Sequence, residues 1–114
     1  MPDILWISVT PLGEEIRLSH DGWYRKIIIS HPEFATGAGY SDEVRGVLQD
    51  PEYIVEGWAS ESLTLRRCQS APGGEKYLCV VYRPGKSAGF VITAFFVSRY
   101  DKLLRRKIRW QKPN

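Results

Sequence analysis

The sequence predicts an α+β domain: two N-terminal helices, preceded by a short hairpin candidate, packed on one face of a four-stranded antiparallel sheet. Three observations predict it. Helix-spaced apolar patterns occur only ahead of Tyr53. After Tyr53, short β-branched and aromatic runs alternate with turns rich in glycine and proline. One of those runs, "FVITAFFVSR", is apolar on both faces, as a central strand is. At 114 residues the chain is most economically one domain, 1–114, large enough to fold without metal or disulfide.

Taken in order, "ILWISV" reads as a strand stopped by "TPLG", and "EEIRLS" as a segment pairing back on it. Ser19 is a good N-cap for a helix starting at His20. The segment His20 to His31 carries two signals. Its three consecutive isoleucines favour a strand, whereas Trp23, Tyr24, Ile27, Ile28 and His31 fall on one helical stripe that Ile29 interrupts. We read a helix, ended by Pro32, which disfavours helical geometry just before it. "ATGAGY" is a glycine-broken loop. "SDEVRGVLQDP" is a cleaner helix, with Ser41 as cap, Asp42 and Glu43 in its first turn and Val44, Val47 and Leu48 on its apolar face. "EYIVEGWA" and "SLTLRRC" form a first strand pair. "APGGE" turns into "KYLCVVYR", whose Leu78, Val80 and Tyr82 share a face; "PGKSAG" turns into "FVITAFFVSR"; and "YDKLL" leads to a last strand, "RRKIRW".

A net charge of +3 is mildly basic, compatible with a phosphate-bearing partner. The two cysteines, Cys68 and Cys79, lack CxxC spacing and read as buried free thiols rather than a disulfide. The N-terminus has no basic and apolar leader pattern, and no run approaches a membrane span, so no membrane partner is expected and the chain reads as cytoplasmic. There is no P-loop, no Rossmann glycine pattern, no HExxH and no GxSxG. Metal ligands are few and scattered. Neither a metal nor a cofactor is expected.

What remains is cations, hydroxyls and aromatics on a sheet. In the last strand Arg105, Lys107, Arg109 and Gln111 alternate with Arg106, Ile108 and Trp110, so one face is cationic. That stripe either neutralises RNA phosphates or is a solvated edge whose charges prevent aggregation. Arg66 and Arg67 must point to opposite faces of their strand, so at most one serves a given site. Thr93 is a hydroxyl among apolar neighbours, either satisfied locally or donating to a phosphate. His31, on the apolar stripe, is either a core histidine or a proton-transfer group. His20, at the helix start, has no catalytic case.

Several segments resemble the phage-associated branch of the barnase–EndoU–colicin–RelE (BECR) nuclease superfamily. They are "WYRKIIISHPEF", "SDEVRGVLQDPEYIVEG", "KYLCVVYR" and "GFVITAFFVSR" with its terminal "RW". "HPE" is the most specific piece, followed by L-x-D-P-E-x-I at Leu48 to Ile54 and V-I-T-A at Val91 to Ala94. The resemblance implies a RelE-like fold and a metal-independent, toxin- or effector-type ribonuclease, in which a 2′-hydroxyl attacks the adjacent phosphate. Carried over, His31 is the HPE histidine, Thr93 the hydroxyl of the penultimate strand, and Arg66 or Arg67 a phosphate clamp. Lys26 stands where relatives often carry a second histidine; it would supply charge, with Tyr82 as candidate acid, since lysine is a poor base at neutral pH. The alternative is a non-catalytic RNA- or protein-binding module of the same fold, or an accessory structural protein. The partners implied are RNA, tRNA included, and an inhibitor protein. The oligomeric state stays open.

Overall fold

Alternation builds the first hairpin, but in an unusual sense. The computed structural model describes residues 3–35, 40–69, 71, 73–74 and 76–113. In β1 (Ile4–Val9) the side chains of Trp6 and Ser8 turn inward, followed by Thr10, while Ile7 and Val9 turn outward. A turn through Gly13, whose φ of 81° suits glycine, returns the chain antiparallel as β2 (Glu15–Ser19). The Ser19 hydroxyl then accepts the Gly22 N–H at 2.9 Å, the capping that its position predicts.

The predicted first helix is mostly π-wound over Gly22–Ile27, with one α-helical turn, α1 (Ile28–Ser30). The predicted stripe is kept except at Tyr24, with Ile28 packed against the core and Ile29 off the stripe. Trp23 and Ile27 are buried, but Tyr24 and Ile29 are exposed. His31 leaves helical geometry at φ −134° and Pro32–Ala35 form a 3-10 turn, so proline ends the element as expected. The predicted loop before Tyr40 falls on residues 36–39, outside the described residues. The second helix, α2 (Tyr40–Gln49), buries Val44, Val47 and Leu48 as its pattern requires. Gly46 lies under the Arg66 guanidinium: a Cβ there would stand 2.8 Å from one of its nitrogens.

Strands β3 (Tyr53–Glu56), β4 (Ser62–Cys68), β5 (Lys76–Arg83), β6 (Gly89–Val97) and β7 (Ile108–Gln111) complete the fold. The sheet has seven strands in the order β1-β2-β6-β5-β4-β3-β7. This corrects the expected four-stranded antiparallel, RelE-like sheet under two helices. Two of the three added strands come from a non-local contact: β2 docks parallel to β6, Ile16 beside Gly89 and Arg17 beside Phe90, and so fuses the hairpin into the sheet; the third is β7, which pairs with β3. All other neighbours are antiparallel.

The helices cover only the first face. There Val44, Val47, Leu48, Trp23, Ile27 and Phe34 meet Leu78, Val80, Tyr82 and Ala94 in one buried cluster. The second face is covered by the chain itself. After β6 the backbone crosses back, and Tyr100, Leu103 and Leu104 settle on Val55, Leu63, Leu65, Cys79 and Phe95. Arg105 therefore sits in a 3-10 turn (Leu103–Arg105) and Lys107 ahead of the strand, so the expected alternating cationic face of "RRKIRW" does not form over that length. Both cysteines are buried and neither is in a disulfide, Cys68 with the first cluster and Cys79 with the second. Burial pushes the Cys79 thiol up to about 12.

Candidate nucleic-acid interface

The residues singled out from sequence are distributed over both faces. Arg66 pairs across from Leu78 and points to the helix side, where it donates to the Gly46 carbonyl (3.0 Å) and meets Glu43 at 3.3 Å. Thr93 pairs with Val81, on the second face. Arg67 shares that second face, but it is in register with Tyr77 and hence Val97. It stands two strands across and four residues along from Thr93, about 10 Å by about 13 Å at ordinary strand spacings. One phosphate cannot be held by both in the way a base–clamp pair requires.

His31 is half-buried, with its ring 6.1 Å from that of Phe95 and 6.4 Å from that of Phe34. Its ring neighbours are thus Phe34 and Phe95, the latter on Thr93's strand, whereas Arg66 is engaged by Gly46 and Glu43 of α2. Lys26 is solvent-exposed. Tyr82 is fully buried, and its hydroxyl donates to Glu14 Oε1 at 2.6 Å. Burial first, then the Glu14 carboxylate, raises its pKa well above the ordinary phenol range, which holds it as a neutral donor.

Two constellations do assemble. The first is a latch. Glu14, at the end of the β1–β2 turn, accepts from Tyr82 and from the Thr10 hydroxyl (3.1 Å), while Arg109 of β7 approaches its other oxygen at 3.4 Å. Arg109 also donates to the Ser62 hydroxyl, whose residue pairs with Tyr82 across β4 and β5. The guanidinium reaches so far because β7 is irregular there: Ile54 faces Trp110 and Val55 faces Ile108, so Arg109 lies in the bulge.

The second lies next to it, at the β3–β4 loop. Trp58 is 68% exposed, and the Arg106 guanidinium covers one side of its ring, 4.6 Å from the centroid. Arg106 is itself held by the carbonyls of Glu56 and Gly57, both at 2.7 Å. Glu61 fixes the loop, accepting the N–H groups of Trp58 (2.6 Å) and Ala59 (2.7 Å) and pairing with Arg83 at 3.5 Å. The Ala59 N–H above all, with those of Trp58 and Glu61 itself and with Arg83, draws the Glu61 carboxyl below the ordinary value of 4.5. A 280 Å³ pocket opens between this loop and β7, lined by Ser60, Ser62, Pro84 and Arg109 together with Glu56 and Glu61.

No family model, curated protein or solved structure matches this chain. Among the described residues no group of His, Cys, Asp and Glu could hold a metal ion, and no helix is long and apolar enough to cross a membrane. An exposed indole braced by a guanidinium, with Arg105, Lys107, Arg109 and Arg83 close in sequence or space, can stack a base and neutralise the phosphates that flank it. Sequence reasoning named Tyr82 and Arg109, but missed Glu14, Thr10, Ser62 and Trp58. Only Trp58 carried a signal: an indole in a loop of glycine, alanine and serine, between two strands whose alternation cannot bury it.

Proposed function

We propose that the protein is a binding module for single-stranded RNA, working through the β7 edge and the β3–β4 loop. Trp58 supplies the stacking surface, Arg106 holds it open on one side, and Arg105, Lys107 and Arg109 take the phosphates. The observation that carries the proposal is the exposed, guanidinium-braced ring of Trp58. A side chain this large and apolar is costly to leave in water, and two backbone carbonyls hold its cation in place. RNA rather than DNA follows from the resemblance of the "HPE" and "VITA" segments to BECR nucleases. The cytoplasm, where RNA is met and thiols such as Cys68 and Cys79 stay reduced, suits that role.

Cleavage of the bound strand is a second reading, favoured by one observation: the Arg109 guanidinium that lines the pocket also meets the Glu14 carboxylate, a cation beside a base. The test measures fluorescence anisotropy of labelled single-stranded RNA at low salt in EDTA, followed by electrophoresis of that RNA. Intact RNA bound by the parent, and about tenfold weaker binding by a Trp58→Ala variant with an unchanged melting curve, supports the module. Equal affinity of parent and variant removes it. Shortened RNA, with Glu14→Gln abolishing the shortening, transfers support to cleavage.

A further inference from the structure

The second half of the hairpin strand β1, from Ile7 to Val9, has its polarity reversed. Ser8 and Thr10, 2% and 3% exposed, are packed inside, their hydroxyls donating to the Arg45 carbonyl and to Glu14. Ile7 and Val9, 43% and 53% exposed, stand outside. A strand at the rim of a solvated sheet ordinarily does the opposite. The inward side chains are satisfied, and Trp6 is also fixed by donating to the Ser41 carbonyl at 3.1 Å. The outward ones are unexplained within one copy of the chain.

Three further facts define what covers them. First, β1 ends the sheet: among the described residues no strand pairs with its outer edge, so alternate amides and carbonyls there lack a ladder partner. Secondly, Ile4–Val9 contains no charged residue, although edge strands are ordinarily guarded by charge or proline. Thirdly, the apolar surface continues inward. Ile7 lies beside Arg17, and Arg17 beside Phe90, in one row across the sheet, while Phe90 and Ile92 line the same shallow pocket. The charges in that row cancel locally, because Arg17 pairs with Glu15 at 2.9 Å. A copy of this positively charged chain thus meets no net like charge at β1. The opposite rim carries five cations between Arg105 and Lys112; Lys107, Arg109 and Lys112 are paired with Glu56, Glu14 and Asp50, which leaves Arg105 and Arg106 as a net positive charge there.

We propose that two copies associate through β1, edge to edge and antiparallel, about a two-fold axis that sets the Ile7–Val9 segment of one copy beside that of the other. Antiparallel pairing of identical strands is the closed, isologous arrangement, and the facing β-branched side chains form the cross-strand pairs that stabilise a ladder. One strand pair with its flanking patch is smaller than a standard interface of about 1,600 Å², so the dimer is concentration-dependent rather than obligate.

The experiment is sedimentation of the full chain over a hundredfold concentration range, with hydrogen exchange at both ends of it. The parent is expected to pass from monomer to dimer, with β1 amides gaining protection and β7 amides unchanged. Ile7→Lys, at a solvent-facing position, is expected to weaken association at least about tenfold; Ile108→Lys on the other rim leaves it unaltered. Mixing Ile7→Lys with Ile7→Glu is expected to restore a dimer, which a misfolded variant could not do. A parent that stays monomeric throughout overturns the proposal. So does a dimer indifferent to Ile7→Lys, or one that forms without protection of β1, which would point to another surface or to β1 serving a different extended peptide.

Discussion

The two rims of the sheet are built on opposite rules. At β7, cations crowd a short, bulged strand, and an indole stands beside them. At β1, six uncharged residues run along the edge and the exposed side chains are aliphatic. Both rims pose the same problem of unpaired backbone, and each excludes a different partner. The basic rim repels its own copy and attracts polyanions. The uncharged rim offers polyanions nothing and leaves a copy free to approach. One sheet can therefore separate self-association from ligand binding by the charge of its rims, even though Glu14 of the β1–β2 turn touches Arg109 of β7. With two copies joined at β1, the basic rims would lie at the far ends of one continuous sheet, where two grips on one strand add avidity.

Salt should break the comparison most visibly. If Arg105, Lys107 and Arg109 each neutralise a phosphate, a fourfold rise in salt should weaken RNA binding about twentyfold. Dimerisation at β1 should change little over the same range. Parallel losses of both, read by anisotropy and sedimentation on the same samples, would mean that the rims are not distinct.

A smaller effect should sharpen the role of the latch that ties the rims together. Glu14→Gln keeps an acceptor for Tyr82 but removes the charge facing Arg109. We expect a loss of about 1–2 kcal/mol, read as a melting temperature lower by about 5–10 °C. An unchanged melting curve would show that the latch holds nothing.

The smallest effect is local. Because the Glu61 carboxyl is held below 4.5 in the fold, its support for the loop is complete above that value and is lost only as pH falls through the depressed one. Side-chain NMR of Glu61 should place its midpoint below 4.5, with the Trp58 signals tracking it. A midpoint at or above 4.5 would mean that the loop is not capped in solution.

Much of the strand layout was legible because alternation and turn residues are local. Leu78, Val80 and Tyr82 share a face as their spacing requires, and Arg66 and Arg67 diverge as neighbours on a strand must. Which arginine joins Thr93's face was not legible, since it depends on register across β4, β5 and β6 and on the irregularity between Val81 and Tyr82. Nor was the seven-strand arrangement. The parallel contact of Ile16 and Arg17 with Gly89 and Phe90 leaves no periodic trace in either segment. The first helix keeps most of its predicted stripe, with Trp23, Ile27 and Ile28 on the core and Ile29 off it; only Tyr24 turns outward, in the π-wound segment. At the site, Arg109 could be recognised as a cation, but its alignment with Glu14 comes from a β-bulge, and nothing in "TPLGEE" marks Glu14 as the carboxylate it reaches.

The pairing of Glu14 with Arg109 spans 95 residues of chain. On the ribosome the carboxylate emerges long before the guanidinium, so Tyr82 can reach the acid before its cation exists. The nascent sheet must hold its curvature without β7, which arrives as a clasp on a shape already present. Chains cut short before Ile108 should therefore acquire the hydrogen-exchange protection of β4, β5 and β6, while β3 lacks that of the amides directed at β7.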